Sequence, residues 1–516
     1  MRSIVIVIFI VVFGGCSTKQ EQSAADLTVT IPAELHRPRV HFTPASGWMN
    51  DPNGMFFLDG EYHLFYQHFP DTTVWGPMHW GHAVSKDLIH WERLPIALYP
   101  DSLGYIFSGS AVVDVNNTSG FGTTDNPPVV AIFTYHDANA ERAEKNDFQT
   151  QGIAYSTDKG RTWKKYDKNP VMKNPNIRDF RDPKVSWINE AKQWVMTLAV
   201  NDHVEFYGSP DLKQWSKLSE FGKTDGDHGG VWECPDLFKL EDEAGNAKYV
   251  LFVSINPGAP NGGSGTQYFI GNFDGKRFIS DTPGKNVGWI DYGPDDYAGV
   301  TFANVPASDN RRIFMGWMSN WLYAERVPTV VWRSATTIPR TLSLRKTDNG
   351  YVVNSLPVTE LTGLISATKT VAASSDTDTL RLVAKEDQFS IPMEISGSVR
   401  KSDFVIELRN LVNQKFLVGF DPDANEFYID RSNGMPSTFH KDFLNPIRAP
   451  RLSNDDMITF RALIDVASVE VFFDNGSTVL TAITFPDEVF KQLNMYGRSS
   501  VINTGTIQLN QLKSIW

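Results

Sequence analysis

One turn signature recurs along the first half of the chain: Ser85-Lys86-Asp87 with Trp91, Ser156-Thr157-Asp158 with Trp163, and Ser209-Pro210-Asp211 with Trp215. Gly271-Asn272-Phe273-Asp274-Gly275 with Phe278 is a looser fourth copy. The copies lie roughly 50 to 70 residues apart, about what a four-stranded antiparallel sheet and its loops consume, so each is expected to mark the same hairpin in successive units. Strand signals run from about Leu35 to Leu344 with little sustained helical periodicity. Sheets repeated radially make a propeller, and roughly 310 residues at that period give about five blades. A row of unrelated hairpins in a sandwich is the competing arrangement.

Within that region three acidic turns stand out. Asp51 sits in Trp48-Met49-Asn50-Asp51-Pro52-Asn53-Gly54, ahead of the apolar run Met55 to Leu58. Asp182 sits in Phe180-Arg181-Asp182-Pro183-Lys184, and Glu233 in Trp232-Glu233-Cys234-Pro235-Asp236. Each carboxylate is followed at once, or nearly so, by Pro and then by a strand. Taken singly, each reads equally well as a surface turn, since Asp, Asn, Pro and Gly are ordinary turn residues. In a propeller, however, the first strand of each blade lines the central axis, so three such turns in three blades would aim their carboxylates into one funnel.

At 516 residues the chain suggests two domains. The propeller is expected over 35–344, a linker over 345–363, and a C-terminal β-sandwich over 364–516. The sandwich reading rests on the apolar or alternating runs Phe404 to Leu408, Phe416 to Phe420, Ile458 to Ile464 and Val469 to Phe473, with turn signals between them. The fold class is therefore all-β. A net charge of −12 argues against a polyanionic partner, so nucleic-acid binding is excluded. The 14 Trp suit a sugar-stacking surface as well as they suit β-rich cores.

The first 15 residues read as an export signal: Arg2, then an apolar run from Ile4 to Phe13 too short to span a bilayer. Phe13-Gly14-Gly15-Cys16 resembles a bacterial lipoprotein cleavage box, with Phe where Leu usually stands. That implies lipidation of Cys16, a tether over 16–34, and a lipid-anchored protein in the bacterial cell envelope. Cys234 is then the one remaining cysteine, and no intrachain disulfide is possible. As a thiol nucleophile Cys234 would need a His partner or a helix N-terminus, neither of which is legible. No His-Glu-x-x-His, paired-cysteine or calcium-loop spacing occurs, so no metal and no cofactor is expected. The Gly-rich run Pro257 to Gly265 lacks the Lys-Ser/Thr of a phosphate loop and reads as a surface loop.

Together, Trp48 to Gly54, Arg181-Asp182-Pro183 and Glu233-Cys234-Pro235 resemble the three acidic signatures of glycoside hydrolase family 32, the invertases, inulinases and levanases. The likeness extends through Phe65-Tyr66-Gln67, Trp75-Gly76, Trp80 to Ala83, Phe107 to Ser110, Asp296-Tyr297-Ala298, Gly316-Trp317 and Ser468 to Phe472. It implies a five-bladed propeller followed by a sandwich, and release of fructose from levan, inulin or sucrose with retention of configuration, which needs two carboxyl groups about 5 Å apart. By resemblance Asp51 is the nucleophile and Glu233 the acid/base. Asp182 grips ring hydroxyls, with Arg181 offering donors and keeping Asp182 ionised. Asn50, Asn53 and Gln67 would hydrogen-bond the sugar, with Trp75 and Phe107 as walls and Ser108 as a further donor.

Other readings compete. Ser156 to Trp163 also looks like the Asp-box of sialidases, a class that needs an arginine triad and a Tyr nucleophile. A non-catalytic surface glycan binder on the same scaffold would be expected to have lost one of the carboxylates. Within the fructosidase reading, the unbroken Trp75 to Ala83 segment leans towards exo cleavage. An endo-acting levanase or inulinase that makes fructo-oligosaccharides is the alternative.

Overall fold

The repeated Ser/Asp/Trp segments are one turn used again and again. In the first copy Ser85 Oγ meets Asp87 at 3.1 Å, Asp87 accepts the amides of Ile89 and His90 at 3.0 and 2.8 Å, and Trp91 Nε1 donates to Leu88 O at 2.9 Å. The second and third copies repeat this pattern, with Trp163 Nε1 on Gly160 O at 3.0 Å and Trp215 Nε1 on Leu212 O at 3.2 Å. Each turn joins the third strand of an antiparallel sheet to the fourth, as His79–Ser85 is joined to Trp91–Leu98. The looser copy at Asp274 does the same between Gly265–Phe273 and Phe278–Ser280.

The computed structural model describes residues 34–284, 287–371, 379–384, 390–434, 439–498 and 507–516. The proposed leader, Cys16 and the tether lie outside these, save residue 34. Seven sheets are present among the described residues: five of four or five strands, then two of six. The first strands of the five smaller sheets are Gly47–Leu58, Tyr105–Val113, Phe180–Ile188, Val231–Glu241 and Tyr297–Thr301. Each packs against the next, and the last packs against the first. Trp332–Arg333, from late in this region, adds in parallel to Gly47–Trp48.

The expected linker is a correction. Residues 345–357 are not a connector, because Arg340–Thr347 and Gly350–Pro357 form an antiparallel pair that completes the fifth small sheet. Only the single-turn helix Thr359–Leu364 intervenes before the first strand of the sandwich, Ile365–Val371. Charged residues disguised this pair: Lys346 is exposed and Arg345 half-buried, while Leu342, Leu344 and Val353 carry the core.

The two six-stranded sheets enclose an apolar core that includes Phe404, Phe416, Phe427, Ile458 and Phe473. They meet the smaller sheets across buried charge. Arg340 pairs with Asp291 at 2.9 Å, with Asp296 at 3.0 Å and with Glu470, all fully buried. His41 lies 2.7 Å from both Asp465 and Glu470. Burial alone would lower the His41 pKa, but these two carboxylates raise it to about 9. Buried charges are tolerated only when paired in this way.

Candidate active site

The three acidic turns are β-bulges. Strand register slips between Met49 and Pro52 on the first inner strand, opposite Arg181 to Lys184 on the third, and between Glu233 and Asp236 on the fourth. The other two inner strands slip as well, between Ile106 and Gly109 and between Tyr297 and Val300. A bulge inserts an unpaired residue and re-aims its side chain. Pro52, Pro183 and Pro235 fall at these slips, where a missing N–H removes no ladder bond. Asp182 (φ 64°), Cys234 (φ 45°) and Ala298 (φ 54°) are held in the left-handed region that non-glycine residues avoid. Gly54 (φ 51°) is required for a different reason: a Cβ there would lie 2.7 Å from the Trp80 ring.

The bulges bring Asp51, Asp182 and Glu233 together around Cys234. The Cys234 thiol contacts Asp51 Oδ2 at 3.4 Å and Asp182 Oδ2 at 3.6 Å, and the Cys234 amide donates to Asp182 Oδ2 at 3.0 Å. Burial, followed by the surrounding carboxylates, pushes the thiol well above its usual range, so Cys234 stays protonated and acts as a donor rather than a nucleophile.

Asp51 is 9% exposed and Asp182 is 5% exposed, whereas 21% of the Glu233 side chain reaches solvent. Glu233 is therefore the carboxyl best placed to meet a departing group. Asp51 accepts from Ser108 Oγ at 2.6 Å and from Asn50 Nδ2 at 2.8 Å. Burial raises the Asp51 pKa; Ser108 opposes the rise, and the negative charge of Glu233 adds to it.

Arg181 departs from expectation. Its guanidinium grips Glu233 Oε1 through Nε at 3.1 Å and Nη2 at 3.0 Å, and reaches Asp179 at 2.5 Å. It does not hold Asp182 in the ordinary carboxylate range. Burial outweighs the nearby Arg181 charge, and Glu233 and Asp51 add repulsion, so the Asp182 pKa rises to about 7.

The expected sugar contacts divide. Asn50 is spent on Asp51 and on Trp48 Nε1, which donates to it at 2.7 Å. Gln67 is 2% exposed and donates to Ile106 O at 3.0 Å, joining two inner sheets. Asn53 lies beneath the acids, accepting from Gly109 N at 3.3 Å. Its buried Nδ2 has no protein partner, and it lines a cavity of about 10 Å³ with Ser108, Asp182 and Cys234, room for about one water. Trp75 and Phe107 lie in contact: Trp75 is 36% exposed and meets Phe107 edge-on at 6.0 Å, and Phe107 stacks on His136 at 4.1 Å.

Two contributors escaped the sequence reading. Tyr297 donates to Glu233 Oε2, and burial keeps its phenol protonated far above its ordinary range. Its only signal was its place in Asp296-Tyr297-Ala298. Trp321 stacks on Trp48 at 5.8 Å and carried no signal beyond being a Trp. Among the described residues, His203, Glu205 and Glu220 could together face a cation, but the Lys217 ammonium already bridges the two carboxylates.

Three clustered carboxyls, one gripped by a guanidinium and a phenol, on the inner strands of a ring of β-sheets, are the kind of groups that glycosidic bond cleavage uses. Residues 41–355 match the N-terminal domain of glycosyl hydrolases family 32 and residues 359–513 match the family's C-terminal domain. Levanase from Bacillus subtilis is 46% identical over 490 residues, covering 94% of this chain and 71% of that protein. An extracellular exo-inulinase from Aspergillus niger is 36% identical over 515 residues, covering 93% and 95%. The crystal structure of exo-inulinase from Aspergillus awamori superposes with a TM-score of 0.84 at 34% identity, covering 94% of this chain and 99% of that one. The chain belongs to glycosyl hydrolase family 32.

Proposed function

We infer that the chain is a retaining β-fructofuranosidase that releases fructose from levan, inulin or sucrose. The reading rests above all on the single thiol of Cys234 touching both Asp51 and Asp182 while its neighbour Glu233 carries the least buried of the three carboxyls. Asp51 attacks the anomeric carbon as the bond to the leaving oxygen breaks, and Glu233 gives that oxygen its proton. Glu233 then takes a proton from water, whose oxygen displaces Asp51 and restores both carboxyls. Asp182 grips ring hydroxyls, Ser108 and Asn50 hold Asp51, Trp75 and Phe107 flank the sugar, and Arg181 with Tyr297 orients Glu233.

The five smaller sheets are read as five propeller blades over 35–357, with the sandwich beyond. The N-terminal segment is read as an export signal with lipid anchoring at Cys16, which would hold the enzyme in the cell envelope. Cleavage is exo: the Trp75–Phe107–His136 wall stands beside the acids, and two of the relatives above are exo-inulinases. Fructose release from levan, inulin and sucrose tests the activity, with Asp51→Asn and Glu233→Gln each expected to fall at least about a thousandfold. Chromatography of early levan products tests the mode: fructose alone is expected, and a ladder of oligomers would assign endo cleavage.

A further inference from the structure

The sandwich carries an outward-facing row that the fold itself does not need. Across five neighbouring strands Tyr496 pairs with Val405, Val405 with Gly419, Gly419 with Tyr428, and Tyr428 with Arg448. The residues on either side, Phe404, Ile406, Val418, Phe420, Phe427 and Ile429, fill the core, so this row faces out. A Cβ on Gly419 would lie 2.4 Å from the Tyr428 ring, so the ring lies flat on the sheet only because residue 419 is glycine.

Beside the ring opens a cavity of about 580 Å³, lined by Tyr428, Arg448 and a set of acids that includes Asp421 and Asp430. Its polar groups are fixed in place. Asp421 accepts the amides of Asp423 and Ala424 at 3.1 and 3.2 Å, Asp430 accepts that of Ser432 at 2.8 Å, and Arg448 lies 3.4 Å from Asp421 and 3.2 Å from Glu426. A flat ring edged by rigid carboxylates and one guanidinium suits a neutral polyol, whose C–H face stacks while its hydroxyls donate and accept. The acids repel anionic glycans.

The Gly-rich run Pro257 to Gly265 ties this cavity to the catalytic site. Asn261 bonds Arg448 on both sides, donating to its carbonyl at 2.8 Å and accepting from its amide at 3.0 Å. Three residues on, Ser264 Oγ accepts from Trp321 N at 3.2 Å. Trp321 stacks on Trp48, which bonds Asn50, the partner of Asp51. Three residues of chain span at most about 11 Å, so the two anchor points are close.

We propose that the cavity bounded by Tyr428, Asp421, Asp430 and Arg448, with Gly419 beneath the ring, is a second carbohydrate site, which holds a distant stretch of the same neutral fructan chain whose end is being cut. The proposal rests on the fructosidase reading only for the identity of the polymer. Electrophoresis in gels containing levan, inulin or dextran tests it, using full-length protein in an Asp51→Asn background with excess sucrose filling the funnel. Tyr428→Ala and Gly419→Ala, which displaces the ring without removing it, should each cut retardation by a fructan roughly fivefold to tenfold. In otherwise wild-type protein both should leave kcat/KM for sucrose unchanged while raising KM for the polymer by a similar factor. Unchanged retardation in both variants would overturn the site, as would a parallel loss on sucrose. Tyr428-dependent retardation in a protein that cleaves no fructoside would leave the site standing and remove the activity reading instead.

Discussion

Replacing Ser108 with alanine isolates one bond in the catalytic group. Ser108 Oγ donates to Asp51 Oδ2 at 2.6 Å in a buried setting, and it is the strongest influence holding the Asp51 pKa down against burial. A hydrogen bond to a charged group contributes about 1.5 to 3 kcal/mol, and about 1.4 kcal/mol corresponds to one pKa unit. Because Asn50 and Cys234 still donate to Asp51 in the variant, the lower end applies, a rise of about one unit. Only ionised Asp51 can attack, so activity is lost as pH falls through its pKa. The acid limb of kcat/KM for sucrose should therefore move to higher pH by about one unit in Ser108→Ala. An acid limb that stays put or moves to lower pH would refute the assignment of Asp51 as the group that must be ionised.

Asp182→Asn should leave the fold intact and cut kcat/KM by roughly 10² to 10⁴, because an amide cannot accept ring hydroxyls on both of its terminal atoms as a carboxylate does; sucrose kinetics beside an unchanged thermal transition would check this. Cys234 is buried, protonated and hydrogen-bonded, so the folded enzyme should resist thiol reagents, as activity measured after alkylation would report. His41 has a folded pKa raised from 6.5 to about 9, so the stability it contributes is full below pH 6.5 and lost as pH rises towards 9. That contribution is on the order of 3 kcal/mol, and His41→Phe should flatten stability against pH in this window during urea unfolding. Arg340→Met leaves Asp291 and Asp296 buried without their cation and Glu470 with His41 alone, and should cost about 3 to 5 kcal/mol in the same assay.

The parts of this molecule that were legible in sequence are those whose signals are local. The Ser/Asp/Trp turn closes on itself within a few residues: the Asp accepts nearby amides and the indole returns to the carbonyl three residues back. Its recurrence therefore announced both the hairpin and the period. The strand pair over 340–357 was misread because its charges, with Gly350 and Pro357, resemble a linker when the pairing partner is not in view. Tyr297 and Trp321 were missed for a related reason. Their partners, Glu233 and Trp48, lie 64 and 273 positions away, and nothing in the neighbouring residues records such a contact.

The acidic turns join the two kinds of signal. Asp-Pro and Glu-Cys-Pro are local statements that a strand opens with a bulge, and a bulge alone has no chemistry. What turns it into a site is that the inner strands are neighbours in a closed ring and slip register at the same end, so each re-aimed carboxyl meets the others. Burial first, and then the charges of Glu233 and Asp51, raise Asp182 to about 7, and the guanidinium of Arg181 placed on Glu233 limits that rise. Removing that cation while keeping the bulges, as Arg181→Gln would, leaves three carboxyls with no opposite charge in contact. The cluster as a whole should then take up protons at a higher pH than in the wild type, which comparative proton titration of the two folded proteins would show.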